Sequence, residues 1–92
     1  MQYVEQLKVF LGAGVDDEEL RATARAAVAA DVREMKVAIA GRVWKARQRS
    51  AAGDQPGAAA LLAHARQLQG EYEAALAEFA TLAAGGPPAQ AA

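Results

Sequence analysis

Few side chains in this sequence could do covalent chemistry, and their spacing limits them further. His64 is the only histidine, Ser50 the only serine, Thr23 and Thr81 the only threonines, and there is no cysteine. A hydroxyl nucleophile needs a base within hydrogen-bond reach, oriented by a third group. None of these hydroxyls has a histidine at a suitable spacing. A transition-metal site needs several nitrogen or sulfur ligands, and His64 has neither a second histidine nor a thiolate to join it. Asp16, Asp17, Glu18 and Glu19 form an acidic run explained by helix capping, and Glu71 and Glu73 point to different sides of a helix. Gly12-Ala13-Gly14 does not follow a strand and therefore marks a helix stop, not a phosphate cradle. The expectation is a chain that is not an enzyme and that uses no cofactor and no metal.

What remains is recognition. Trp44 stands with Val37 and Ala40 on one side of a helix, on nearly the opposite side from Val28, Val32, Met35, Ile39, Val43 and Ala46. A helix apolar on two faces must be covered on both or expose one. The second row faces the neighbouring helix, which leaves Val37, Ala40 and Trp44 as a candidate docking patch. Beside it Arg42, Lys45, Arg47 and Arg49 make a basic cluster. Basic residues around an aromatic suit single-stranded nucleic acid. One aromatic is a poor stacking platform, however, and the chain is near neutral, at a net charge of −1 and a pI of about 5.7. The same cations also complement the negative end of a helix dipole. The partner-binding set is therefore Val37, Ala40, Trp44, Arg42, Lys45 and Arg47, with a protein as occupant. A nucleic-acid-associated regulator using residues 42–49 is the alternative, and Trp44 lying flat over the core is the structural reading of the same residue.

Three helices must position these groups. Glycine and proline interrupt the chain at Gly12-Ala13-Gly14, at Gly53-Asp54-Gln55-Pro56-Gly57 and at Gly85-Gly86-Pro87-Pro88, and between the interruptions the sequence is rich in alanine. The first helix spans about 2–11 and places Tyr3, Leu7, Phe10 and Leu11 on one side. The second spans 16–50. Asp16 caps it in a box with Glu19, Val15 and Leu20 form the hydrophobic staple, and Gly41 is its one weak point. The third spans 56–84, starts near Pro56 and stops before Gly85-Gly86. Its row Ala58, Leu61, Ala65, Leu68, Tyr72, Ala75, Phe79 and Leu82 keeps a strict 3-4 alternation, the pattern of a helix–helix seam. Residues 87–92 have nothing to bury and are expected to form a flexible tail.

Two long helices joined by five or six residues must fold back on each other. The fold expected is all-α: an antiparallel, coiled-coil-like helical hairpin with a short N-terminal helix, in one domain over residues 1–86. Of its 92 residues 26 are alanine and only 23 are larger apolar residues, so the core is thin. A single core of this size rarely supplies more than about 3–5 kcal/mol, which makes a protein partner or self-association, as a dimer or hetero-complex, the expected source of further stability. No stretch approaches the roughly 18 apolar residues of a membrane span, and the N-terminus lacks the basic and apolar regions of a secretory signal. The expected location is cytoplasmic, away from membranes.

Residues 56–87 resemble one tetratricopeptide unit, through Leu62, Ala63, Gly70, Tyr72, Ala75, Phe79, Leu82 and Pro87. That resemblance implies two helices broken near Gln69-Gly70-Glu71 and a peptide-binding role. In size and architecture the chain is also similar to the small Trp-x-Gly helical hairpins secreted by specialised export systems. Here the corresponding triplet is Trp44-Lys45-Ala46, and Tyr72 is followed four residues later by Leu76. This second likeness implies a secreted helical-hairpin protein exported by a signal-independent route. A third, in size and hairpin form, is to the small helical chaperones of type III secretion needle subunits. The functions compatible with these readings are adaptor, small chaperone and assembly subunit.

Overall fold

A computed structural model of the chain describes residues 1–12, 14–86 and 88. It contains α1 (Gln2–Leu11), α2 (Asp17–Ala51) and α3 (Gln55–Ala83). The fold is the expected all-α helical hairpin, with α2 packed on α3 and a short N-terminal helix. Among the described residues no helix is long and apolar enough to cross a membrane. The chain divides into two compact units, Met1–Asp31 with Ala74–Ala92, and Val32–Glu73.

In the first unit Val4, Leu20, Ala24 and Leu82 form a fully buried cluster, with Tyr3, Leu7 and Val15 packed against it. The start of α2 carries the expected Asp16 cap. The Asp16 carboxylate accepts from the Glu19 N–H at 2.8 Å, and of the staple residues Leu20 belongs to the cluster and Val15 packs against it. Arg21 and Arg25 of α2 donate to the carbonyls of Gly86 and Leu82, at 3.1 and 3.4 Å. They put positive charge at the C-terminal end of α3, whose own last turn has no basic residue. That end is closed by Gly85 at φ 78°, with N–H groups of Gly85 and Gly86 donating to Leu82 and Thr81. A left-handed residue is needed there, and glycine adopts it without a Cβ clash.

The apolar row read for α1 is only half right. Tyr3 and Leu7 pack on the core, but Phe10 is 85% exposed and Leu11 is exposed too, while Val4 is the fully buried residue of this helix. The cause lies in α3. Met1 offers no side-chain cap to α1, and the buried Glu78 carboxylate accepts instead from the N–H groups of Tyr3 (2.9 Å) and Val4 (3.1 Å). The Tyr3 hydroxyl donates to Asp31 at 2.8 Å. Anchored by its first turn, α1 presents Tyr3, Val4 and Leu7 to the core. The expected tail at 87–92 lies outside the described residues except for Pro88, which is buried.

In the second unit the chain reverses over three residues. The N–H groups of Gly53 (φ 86°) and Asp54 donate to the carbonyls of Ser50 and Arg49, closing α2. Asp54 then opens α3: its carboxylate accepts from the Gly57 N–H at 2.9 Å and from Arg49 at 3.1 Å. This cap explains why α3 starts at Gln55, one residue before Pro56. The Gly57 N–H, and after it Arg49, holds the Asp54 carboxyl below its ordinary value. A depressed carboxyl stabilises the fold above its unfolded value of about 3.9, and that contribution is lost as the pH falls through the folded value. Asp54→Asn has no such titration. Its melting temperature is expected to fall less steeply than the parent's below about pH 4.

The seam residues of this unit fall as their pattern requires. Ala46, Ala58 and Ala65 are buried, and Val32, Met35, Ile39, Val43, Leu61, Leu68 and Tyr72 are half-buried. Every buried residue here is an alanine, so small side chains set the contact and larger ones cover its edges. α3 runs unbroken through Gly70, where an added Cβ would meet nothing within 4 Å. Gly70→Ala is therefore expected to raise stability by up to about 1 kcal/mol, the helix-propensity difference. Thermal unfolding checks it, and a lowered melting temperature would contradict a continuous helix.

Candidate functional site

The middle of α2 presents its second apolar face to solvent. Val37 is 74% exposed, Trp44 is 60% exposed, and Ala40 and Gly41 between them are exposed as well. The helix leaves little freedom in this arrangement: residues 37 and 44 are two turns apart, about 10 Å along the axis, and point the same way. The opposite side of the same segment carries the half-buried seam Met35, Ile39 and Val43 and the buried Ala46. The two-faced character of α2 is thus resolved by burying one face and exposing the other.

The basic cluster divides by role. Arg42 is half-buried, and its Nε donates to His64 Nδ1 at 2.8 Å while Nη1 donates to the Ala38 carbonyl at 3.2 Å. It ties α2 to α3 and is turned away from the Trp44 face. Arg49 is spent on Asp54 at the turn. Lys45 and Arg47 are exposed and make no ion pair among the described residues. Arg47 also borders a groove with Val43 and Ala46 of α2 and Ala58 and Leu62 of α3. Of the six residues singled out, five lie on or beside one exposed face and Arg42 does not.

The groups considered for catalysis are engaged in hydrogen bonds within the chain. His64 accepts at Nδ1 from Arg42 Nε. Ser50 bonds to Gln55, Thr23 to the Glu19 carbonyl and Thr81 to the Ala77 carbonyl. Among the described residues no group of three His, Cys, Asp or Glu side chains is placed to hold a metal ion.

Three features escaped the sequence reading. Glu78, a residue to which the sequence analysis gives no role, is a buried cap for α1. The available signal was its place: Glu78 stands three residues after Ala75 and four before Leu82, inside an apolar row. Arg33 and Lys36 are also exposed beside Val37, and their helical spacing from it was visible in the sequence. Val9 and Phe10 form a second exposed apolar group, 81% and 85% exposed, at the end of α1.

No protein family matches this chain, and neither a curated protein nor a solved structure matches it.

Proposed function

We propose that the chain is a non-enzymatic protein-interaction module, an adaptor, small chaperone or assembly subunit, which docks a partner protein through Val37, Ala40 and Trp44 with Lys45 and Arg47 at the rim. The observation that carries this reading is the paired exposure of Val37 and Trp44 on a helix whose other face is already packed. Exposed large apolar groups rimmed by polar ones mark interaction sites, and tryptophan and arginine are over-represented among residues that dominate binding energy. The role falls to a recognition surface because the histidine and the hydroxyls are engaged in hydrogen bonds within the chain.

Trp44→Ala separates this role from a structural one. Removing an exposed side chain is expected to change stability by less than about 1 kcal/mol, while the variant loses the partner that the parent chain captures from its native host. A loss of about 3–5 kcal/mol would instead place the indole in the core. Salt dependence tests the nucleic-acid reading. Phosphate contacts give a steep loss of affinity with salt, whereas docking on apolar groups gives a shallow one. With Arg42 and Arg49 bonded within the chain, fewer cations of residues 42–49 remain for a phosphate backbone.

A further inference from the structure

We infer that the partner segment seated on the Trp44 face is an acidic amphipathic helix, laid along α2 with its apolar side on Val37 and Trp44 and its carboxylates on the flanking cations. The inference rests on the interaction reading above and adds the chemistry of the occupant.

Charge is the first argument. The near-neutral total conceals a segregation: residues 32–73 carry seven basic and four acidic side chains, while the remaining residues carry three and seven. Arg33, Lys36, Lys45 and Arg47 are all exposed and make no ion pair among the described residues. At about 100° per residue, Lys36 and Arg47 fall about 70–90° to one side of the line from Val37 to Trp44, and Lys45 about 90° to the other. Arg33 continues the line one turn before Val37. Between residues 33 and 48 the only acidic side chain is Glu34. Glu34 shares the Lys45 side, so the row is flanked by four cations and one carboxylate, and a face with that excess of positive charge is complementary to an apolar row rimmed mainly by carboxylates. A second copy of this face would set four cations and one carboxylate against the same set, a net repulsion.

The backbone supplies the second argument. The interior of α2 has its N–H and C=O groups bonded within the helix, so it offers no edge to an extended segment. An occupant that excludes water there must satisfy its own backbone, which a helix does. Gly41 supplies the third. It is exposed in the interior of a 35-residue helix, and an added Cβ would meet nothing within 4 Å. Packing within the chain therefore does not call for it, although glycine weakens a helix relative to alanine. With Ala40 it leaves the backbone bare between Val37 and Trp44, which lets a second helix approach closely at its crossing point.

A displayed library of helical peptides about 20 residues long, long enough to hold a helix once packed, tests the proposal when selected against the full chain. Selected peptides are expected to carry Leu, Ile or Phe at i, i+3 or i+4 and i+7, flanked by Asp and Glu. The best of them is expected to shift Trp44 emission to the blue. Its affinity is expected to fall at least about tenfold for the Lys36→Glu/Lys45→Glu double variant and for Gly41→Leu, each checked by circular dichroism for parental helicity. Its charge-reversed version is expected not to bind. Peptides that require Trp44 but show no acidic bias, or that tolerate Lys36→Glu/Lys45→Glu, would overturn the inference and leave the interaction reading standing. Acidic peptides indifferent to Trp44→Ala would overturn both. Failure to select any peptide would overturn the inference, in favour of nucleic acid if an oligodeoxythymidine shifts Trp44 emission with a steep salt dependence. A concentration-dependent dimer that shields Trp44 and excludes the peptides would overturn it in favour of a second copy.

Discussion

Leu82→Ala is expected to cost about 3–4 kcal/mol and to leave much of the chain unfolded at room temperature. Leu82 is fully buried near the end of α3 and belongs to the cluster of Val4, Leu20 and Ala24. Truncation removes the transfer free energy of the buried methyl groups and leaves a cavity, with measured costs of about 2–5 kcal/mol for such leucines. The stability available to a domain this small is of the same order, roughly 3–5 kcal/mol. The contrast within α3 makes the result specific. Leu62 and Leu76 are 38% and 40% exposed, and their alanine variants are expected to stay within about 1 kcal/mol of the parent. Urea unfolding of the three variants checks this. Equal losses at all three would mean that the first unit has no distinct core.

Glu78→Ala is expected to cost about 2–3 kcal/mol and to release α1. The carboxylate accepts from two consecutive N–H groups in the first turn of that helix and lies where the dipole is positive. Its removal leaves the Tyr3 and Val4 donors without that acceptor, and Val4 is fully buried. Hydrogen bonds to charged groups contribute about 1.5–3 kcal/mol, and a helix of ten residues does not persist in water once detached. Glu78→Gln keeps an acceptor without the charge, so it is expected to recover part of the loss. Amide exchange over residues 3–11 reads the release directly: fast exchange in the alanine variant, intermediate in the glutamine variant, slow in the parent.

Most of the architecture was legible because it rests on local rules. Asp16 and Glu19 announce a capped start, Gly53 and Gly85 supply left-handed stops, and the 3-4 row from Ala58 to Leu82 is buried or half-buried at every position. What was not legible depends on contacts distant in sequence. Nothing near Met1 shows that the cap for α1 comes from residue 78, and without that anchor the choice between a Val4 row and a Phe10 row is undetermined. Arg42 looked like its basic neighbours until its helical phase placed it opposite His64, 22 residues on. The exposed face, by contrast, follows from phase alone: residues 37, 40 and 44 lie opposite a seam that α3 already occupies.

If Trp44 is held open for a partner, its fluorescence shows it directly, because it is the only tryptophan and reports on that site alone. Emission and acrylamide quenching are measured on the free chain at a concentration where light scattering shows a monomer. Emission close to that of free indole in water and efficient quenching are expected, with a blue shift and protection once the partner is bound. Strongly blue emission, protected from acrylamide in the free monomer, would contradict an open Trp44.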